Sequence, residues 1–236
     1  MTKPVALITG ATRGIGEAIA AALAPDYHLV LGGSTAESAA RAAAKYPDAE
    51  PFVADLNDVG SIAGAVAGLG LERLDVLVHC AGVVAHGSVI DTPADEWQRS
   101  FNVNFFAVAE LTRALLPALD AAYAPDGPMP AVVAINSGAG YHAGPGWGPY
   151  ATTKFALRAY TDTLREEHRE RLRVVSIHPG KTDSDMQRDI QAHRGNAYNE
   201  ADFMNPASVA STVQFALSVP RDAMVENLTI RPVNGR

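Results

Sequence analysis

A single α/β domain built on a doubly wound, seven-stranded parallel sheet with helices on both faces is the fold this chain predicts, on three observations. Short apolar runs bounded by turn residues alternate with longer Ala-rich segments of helical period along the whole length. The 236 residues are enough for one large domain with a buried core. Hydrophobic residues make up 47% of the chain and aromatics 7%, so Ala, Val, Leu and Ile must fill most of that core.

The elements follow in order. Strands are expected at residues 5–9, 28–31, 51–54, 76–80, 131–136, 174–178 and 228–230, each a short run rich in Val, Leu and Ile. Helices are expected between them at 14–23, 36–46, 59–69, 95–123, 149–169 and 207–217. Prolines at 125, 128 and 130 stop the longest helix and leave 122–130 as a surface loop. Residues 181–205 mix polar side chains with Met186, Ile190, Tyr198, Phe203 and Met204, just outside the carboxyl end of the sixth strand. Doubly wound sheets bind ligands there, so this stretch is expected to be a substrate lid. No long linker interrupts the alternation, and residues 1–236 read as one domain.

Charge excludes some partners. With 19 Lys+Arg against 26 Asp+Glu the net charge is −7, and no basic run could track a phosphate backbone, so nucleic acid is not expected. The apolar run Val5–Ile8 is too short for a leader or a membrane span. Cys80 is the one cysteine, and a disulfide-free chain fits a reducing, cytoplasmic setting.

Chemistry concentrates at strand ends. The first strand runs into Thr9-Gly10-Ala-Thr12-Arg13-Gly14-Ile15-Gly16 and then directly into a helix. Glycines there allow a sharp turn and a close backbone approach to a pyrophosphate, and the helix start favours negative charge. Tyr150 and Lys154 stand four apart in a helical segment, on one face. A nearby ammonium is expected to lower a phenol's pKa toward working pH. Ser137 ends the fifth strand, a hydroxyl at the sheet's carboxyl edge. The seven histidines show neither HxxxH nor HExxH spacing, so no metal is expected.

The glycine spacing, G-x-x-x-G-x-G, resembles the coenzyme motif of the short-chain dehydrogenase/reductase family, and the resemblance covers nearly the whole chain. It implies a Rossmann-type fold and a nicotinamide dinucleotide held by Gly10, Thr12, Arg13, Gly14, Ile15 and Gly16. Ser34 at the second strand, Asp55 (on the adenine) and Leu56 at the third, and Ala81 and Gly82 at the fourth would line the same site. Beyond the sixth strand Pro179, Gly180 and Thr182 match the turn that packs beside the nicotinamide, Thr182 on its carboxamide. His79-Cys80 stands where the family usually has Asn-Asn.

The family's catalytic set maps onto Asn104, Ser137, Tyr150 and Lys154. Asn102 competes with Asn104, and the seven-residue spacing from Trp97 selects Asn104. The resemblance implies that Tyr150 exchanges the proton, Ser137 holds the reacting oxygen, Lys154 holds the ribose and tunes Tyr150, and Asn104 anchors a relay water. NADP(H) is favoured over NAD(H), because no acid stands at the end of the second strand before Glu37 while Arg13 offers a guanidinium. His142, Trp147 and Met186 are expected to wall the pocket of a small carbonyl or alcohol, with simple loop packing the other reading for His142 and Trp147. The family implies a homodimer or homotetramer. Two other functions share the motifs: a sugar-nucleotide epimerase or dehydratase, which generally carries a larger carboxyl-terminal domain, and a catalytically silent nicotinamide-binding redox sensor, usually marked by a damaged Ser, Tyr or Lys.

Overall fold

In the computed structural model, which describes residues 3–234, the chain forms a seven-stranded sheet in which every pair is parallel, in the order β3-β2-β1-β4-β5-β6-β7. The strands are β1 (Val5–Ile8), β2 (His28–Gly33), β3 (Ala49–Val53), β4 (Val76–His79), β5 (Ala131–Ile135), β6 (Arg173–Pro179) and β7 (Asn227–Ile230). The helices are α1 (Gly14–Leu23), α2 (Ala36–Ala43), α3 (Ile62–Leu69), α4 (Ala94–Phe101), α5 (Ala107–Ala122), α6 (Gly148–His168), α7 (Asp185–His193) and α8 (Pro206–Ser218).

Strand side chains alternate between two cores. Ala6, Ile8, Leu29, Leu31, Val76 and Val78 pack on one face against Ile19 and Leu23 of α1 and Val209 and Val213 of α8. Leu7, Val30 and Leu77 point the other way, against Leu111, Leu115 and Leu119 of α5 and Leu164 of α6. Burial on both faces is why these strands read as continuous apolar runs. The order reverses at β1, whose neighbours are β2 and β4, and a reversal of this kind opens a crevice at the carboxyl ends of the two strands.

Three stretches depart most from expectation. The helix over 95–123 is two helices joined by a π-helical stretch, Asn102–Phe106, where the Ala107 N–H bonds back five residues to the Asn102 carbonyl. An apolar period cannot register one inserted residue. The second helix stops at Ala43, and Tyr46 turns inward, its hydroxyl on the Glu17 carbonyl of α1. The stretch 181–205, for which no helix was expected, carries α7 in its first half. Its N-cap is Ser184, whose hydroxyl accepts the Gln187 N–H, and only Ile190 and Gln191 of the helix are buried, too few to give an apolar stripe. At the base of this excursion Met204 N–H bonds to the Lys181 carbonyl and Asp183 N–H to that of Met204. No helix among the described residues is long and apolar enough to cross a membrane.

Candidate active site

The glycine turn is built from close backbone approaches. Gly10 has φ +65°, and a Cβ there would lie 2.8 Å from the backbone of Ala81; a Cβ on Gly16 would lie 2.1 Å from the Gly10 carbonyl oxygen. Side chains at either position would push the turn away from β4 or split it open. Thr9 ties the two strand ends together, its hydroxyl oxygen accepting the N–H groups of Cys80 and Ala81 at 3.1 and 3.2 Å. His79 bonds instead to α5: its Nε2 meets the Thr112 hydroxyl at 2.9 Å. Thr112 spends its own proton on the Val108 carbonyl, so Nε2 carries the imidazole proton and Nδ1 is a bare, buried acceptor without a partner. Burial pushes this histidine down to about 3. The strand end thus keeps its hydrogen bonding without the usual asparagines.

A cleft of about 580 Å³ opens over this turn. Gly10, Thr12, Arg13, Gly14, Ile15 and Gly16 line it from β1 and α1, Ser34, Asp55 and Leu56 from the ends of β2 and β3, and Ala81 and Gly82 from β4. Tyr150 and Lys154 close one end, and Met186 covers it from α7. A dinucleotide suits this site: the turn admits only glycine backbone at two points, and α1 begins directly behind it. Arg13 pairs with Asp185 of α7, Nη1 to Oδ2 at 2.9 Å. Asp55 accepts the Asn57 N–H and so shapes its own turn.

Lys154 is buried, its Nζ donating to the Ile135 carbonyl at 3.1 Å and lying 5.7 Å from the centre of the Tyr150 ring. Burial pushes its ammonium down to about 8. Tyr150 departs from expectation: burial raises its pKa, and hydrogen bonding to Ser137 only partly opposes the rise. Desolvation is the larger of the two influences. Ser137 also accepts the Ala139 N–H. Its carbonyl accepts from His178 Nδ1 at 3.0 Å, and the other ring nitrogen meets the Ser176 hydroxyl. His178 therefore pins Ser137 from the buried interior of β6. The strand pattern gave no reason to single it out, beyond being a polar residue in an apolar run.

Asn104 and Asn102 sit in the same π turn and do different things. Asn104 is buried, its amide bonding both the N–H and the carbonyl of Val83 at 2.8 and 2.9 Å and the Thr153 hydroxyl at 3.1 Å. Asn102 faces outward to Asn57 and Gln98. The Asn104 side chain thus clasps the β4 loop to α6, with both amide hydrogens engaged and one bond accepted at Oδ1. Asn136, also missed, donates to the Lys154 carbonyl and has a buried, unpartnered Oδ1.

The other expected residues divide. Trp147 packs against Tyr150, ring centres 5.6 Å apart, under the Arg194 guanidinium. His142 is exposed and off the cleft. The histidine beside Trp147 is His86, which stacks on His193 at the end of α7 with centres 4.4 Å apart. Pro179, Gly180 and Thr182 do not line the cleft; Thr182 is buried, with its hydroxyl on the Gly180 carbonyl. Burial drives the Cys80 thiol up to about 12, against an opposing pull from Lys154, which disfavours its thiolate. No cluster of three metal-ligating side chains occurs among the described residues.

Comparison with known proteins gives one answer. Residues 4–195 match the family model of the short chain dehydrogenases. The glycine betaine reductase ATRR of Emericella nidulans is 33% identical over 98% of this chain, which spans only 19% of that larger protein. Dehydrogenase/reductase SDR family member 7B of Bos taurus is 32% identical over 94% of this chain and 72% of its own. The alcohol dehydrogenase of Thermococcus sibiricus, solved with 5-hydroxy-NADP, superposes with a TM-score of 0.86 at 26% identity, over 99% of this chain and 98% of that one. Other solved chains of the same fold also hold NADP.

Proposed function

This chain belongs to the short-chain dehydrogenase/reductase family, and from that premise we propose that it interconverts a small carbonyl compound and its alcohol with NADP(H), Tyr150 acting as general acid and base. One observation carries the reading: Ser137, Tyr150 and Lys154, distant along the chain, meet at the carboxyl edge of the sheet where the glycine-lined cleft ends. Intact Ser, Tyr and Lys argue against the silent sensor.

Bound in the cleft, the nicotinamide supplies or accepts the hydride. The chain's own residues handle the proton and the geometry. Tyr150 gives its phenolic proton to the carbonyl oxygen in reduction and takes it back in oxidation. Its raised pKa keeps it protonated at neutral pH, which suits reduction. Ser137, held by His178 and Ala139, presents its hydroxyl to the same oxygen without having to reorganise. Lys154 lies between the Ile135 carbonyl and the Tyr150 ring, in place to hold the ribose and to favour the phenolate. Asn104 acts by fixing Val83 beside them, Met186 lines the cleft, and Trp147, packed on Tyr150, offers apolar surface beside it.

NADP(H) is supported by Arg13 at the cleft, by the absence of an acid in Gly32-Gly33-Ser34, and by the NADP held in related structures. Self-association into a dimer or tetramer and a cytoplasmic setting belong to the same reading; light scattering checks the first. The test of the activity is oxidation of NADPH and NADH with ketones, aldehydes and quinones. We expect NADPH turnover with at least one class, and tight cofactor binding without turnover on any would overturn the assignment.

A further inference from the structure

We propose that Asp185 tunes the cofactor preference by occupying Arg13, an inference that rests on the NADP(H) reading above. Arg13 caps the start of α1 and faces the cleft, and the carboxylate of Asp185 holds it at 2.9 Å from the first residue of α7. The two side chains are 73% and 56% exposed, so the pair is weak and exchangeable. A 2′-phosphate carries more charge than a carboxylate and can engage a guanidinium through two oxygens, so it can displace Asp185. The displacement has a cost. The Arg13–Asp185 pair must open, and a freed carboxylate is left beside an added phosphate. A cofactor without the 2′-phosphate leaves the pair closed and bears neither cost.

The pair also joins the lid to the glycine turn. Ser184, the N-cap of α7, has its Cβ 3.6 Å from the point where a Cβ on Gly14 would lie, so the start of the helix rests directly on the phosphate-binding loop. Recognition of the phosphate therefore competes with an anchor of the lid, and Asp185 acts as a positioning residue for Arg13 rather than as a ligand.

Titrating NADPH and NADH separately into the wild type, Asp185→Asn, Asp185→Glu, Arg13→Ala and the Asp185→Asn/Arg13→Ala double variant tests this. Asp185→Asn is expected to raise the preference for NADPH over NADH about 1.5- to fivefold, the range of an exposed ion pair. Asp185→Glu should stay near the wild type, and in the Arg13→Ala background the asparagine should no longer move the ratio. An unchanged ratio in Asp185→Asn, an equal change for both cofactors, or the same change without Arg13 overturns the inference. Equal losses of NADPH and NADH in Arg13→Ala would instead overturn Arg13 as a phosphate ligand, and with it the NADP(H) reading.

Discussion

The two sides of the cleft are made of different materials. On the sheet side, positions are fixed by backbone and buried side chains: Gly10 against Ala81, Thr9 holding Cys80 and Ala81, Asn104 clasping Val83, and Lys154 on Ile135. On the α7 side, the helix and its flanks are held by partly or largely exposed contacts: Arg13 with Asp185, Arg188 with Asp183 and Glu200, His86 on His193, and Arg194 over Trp147. Buried hydrogen bonds are costly to break, and exposed ion pairs exchange readily. The first construction suits a proton-transfer geometry that must not drift, and we propose that the second is a substrate lid, a wall that opens for substrate and product.

The sharpest way to break this contrast is at the phenol. Tyr150→Phe should lower kcat about 10²- to 10⁴-fold, the scale of losing a general acid, while NADPH binding measured by titration stays intact. Retained turnover would remove Tyr150 from the chemistry. Next in size is the buried clasp. Asn104→Ala strands the Val83 N–H and carbonyl and should cost about 2–4 kcal/mol of stability in denaturant unfolding. A loss below about 0.5 kcal/mol would mean that the sheet side is no more rigid than the lid.

The third prediction concerns His79. Its folded pKa, about 3, lies below the unfolded value near 6.5, so the folded chain binds fewer protons between these limits. Its contribution is fully present above pH 6.5 and is lost as the pH falls toward 3, at about 1.4 kcal/mol per unit. By pH 5 the wild type should have lost about 2 kcal/mol through this residue, a loss that His79→Asn should remove. Parallel pH–stability curves for the two proteins would show that His79 is not buried neutral in the folded chain.

The same contrast explains what could be read from the residues alone. Glycine spacing and apolar runs report backbone approach and burial, so the seven strands, the turn and the Tyr150–Lys154 pair were legible. The helical nature of α7 was not, because exposed pairs leave no apolar period. Nor was the role of His178 or of the π turn, since each depends on a partner in a distant element. The lowered phenol pKa was expected from an ammonium and an oxidised nicotinamide beside it, whereas among the chain's own groups desolvation is the largest influence and raises it.

The smallest expected effect separates the two sides most directly. Arg188 reaches Asp183 at 2.9 Å and Glu200 at 3.0 Å, and lies over the Tyr198 ring. Tyr198 in turn donates to Asp183 and stacks on Phe203, so one guanidinium gathers both ends of the lid. All of these charges are partly or largely exposed, and their sum should contribute under about 1 kcal/mol to global stability. Arg188→Ala should therefore barely move the unfolding midpoint, yet it should speed amide exchange in residues 185–203 and raise KM for substrate more than it changes kcat. A lid that behaves as a mobile wall gives that split. A drop in kcat as large as that of Tyr150→Phe would mean that the lid takes part in the chemistry, and that the cleft is one rigid body on both sides.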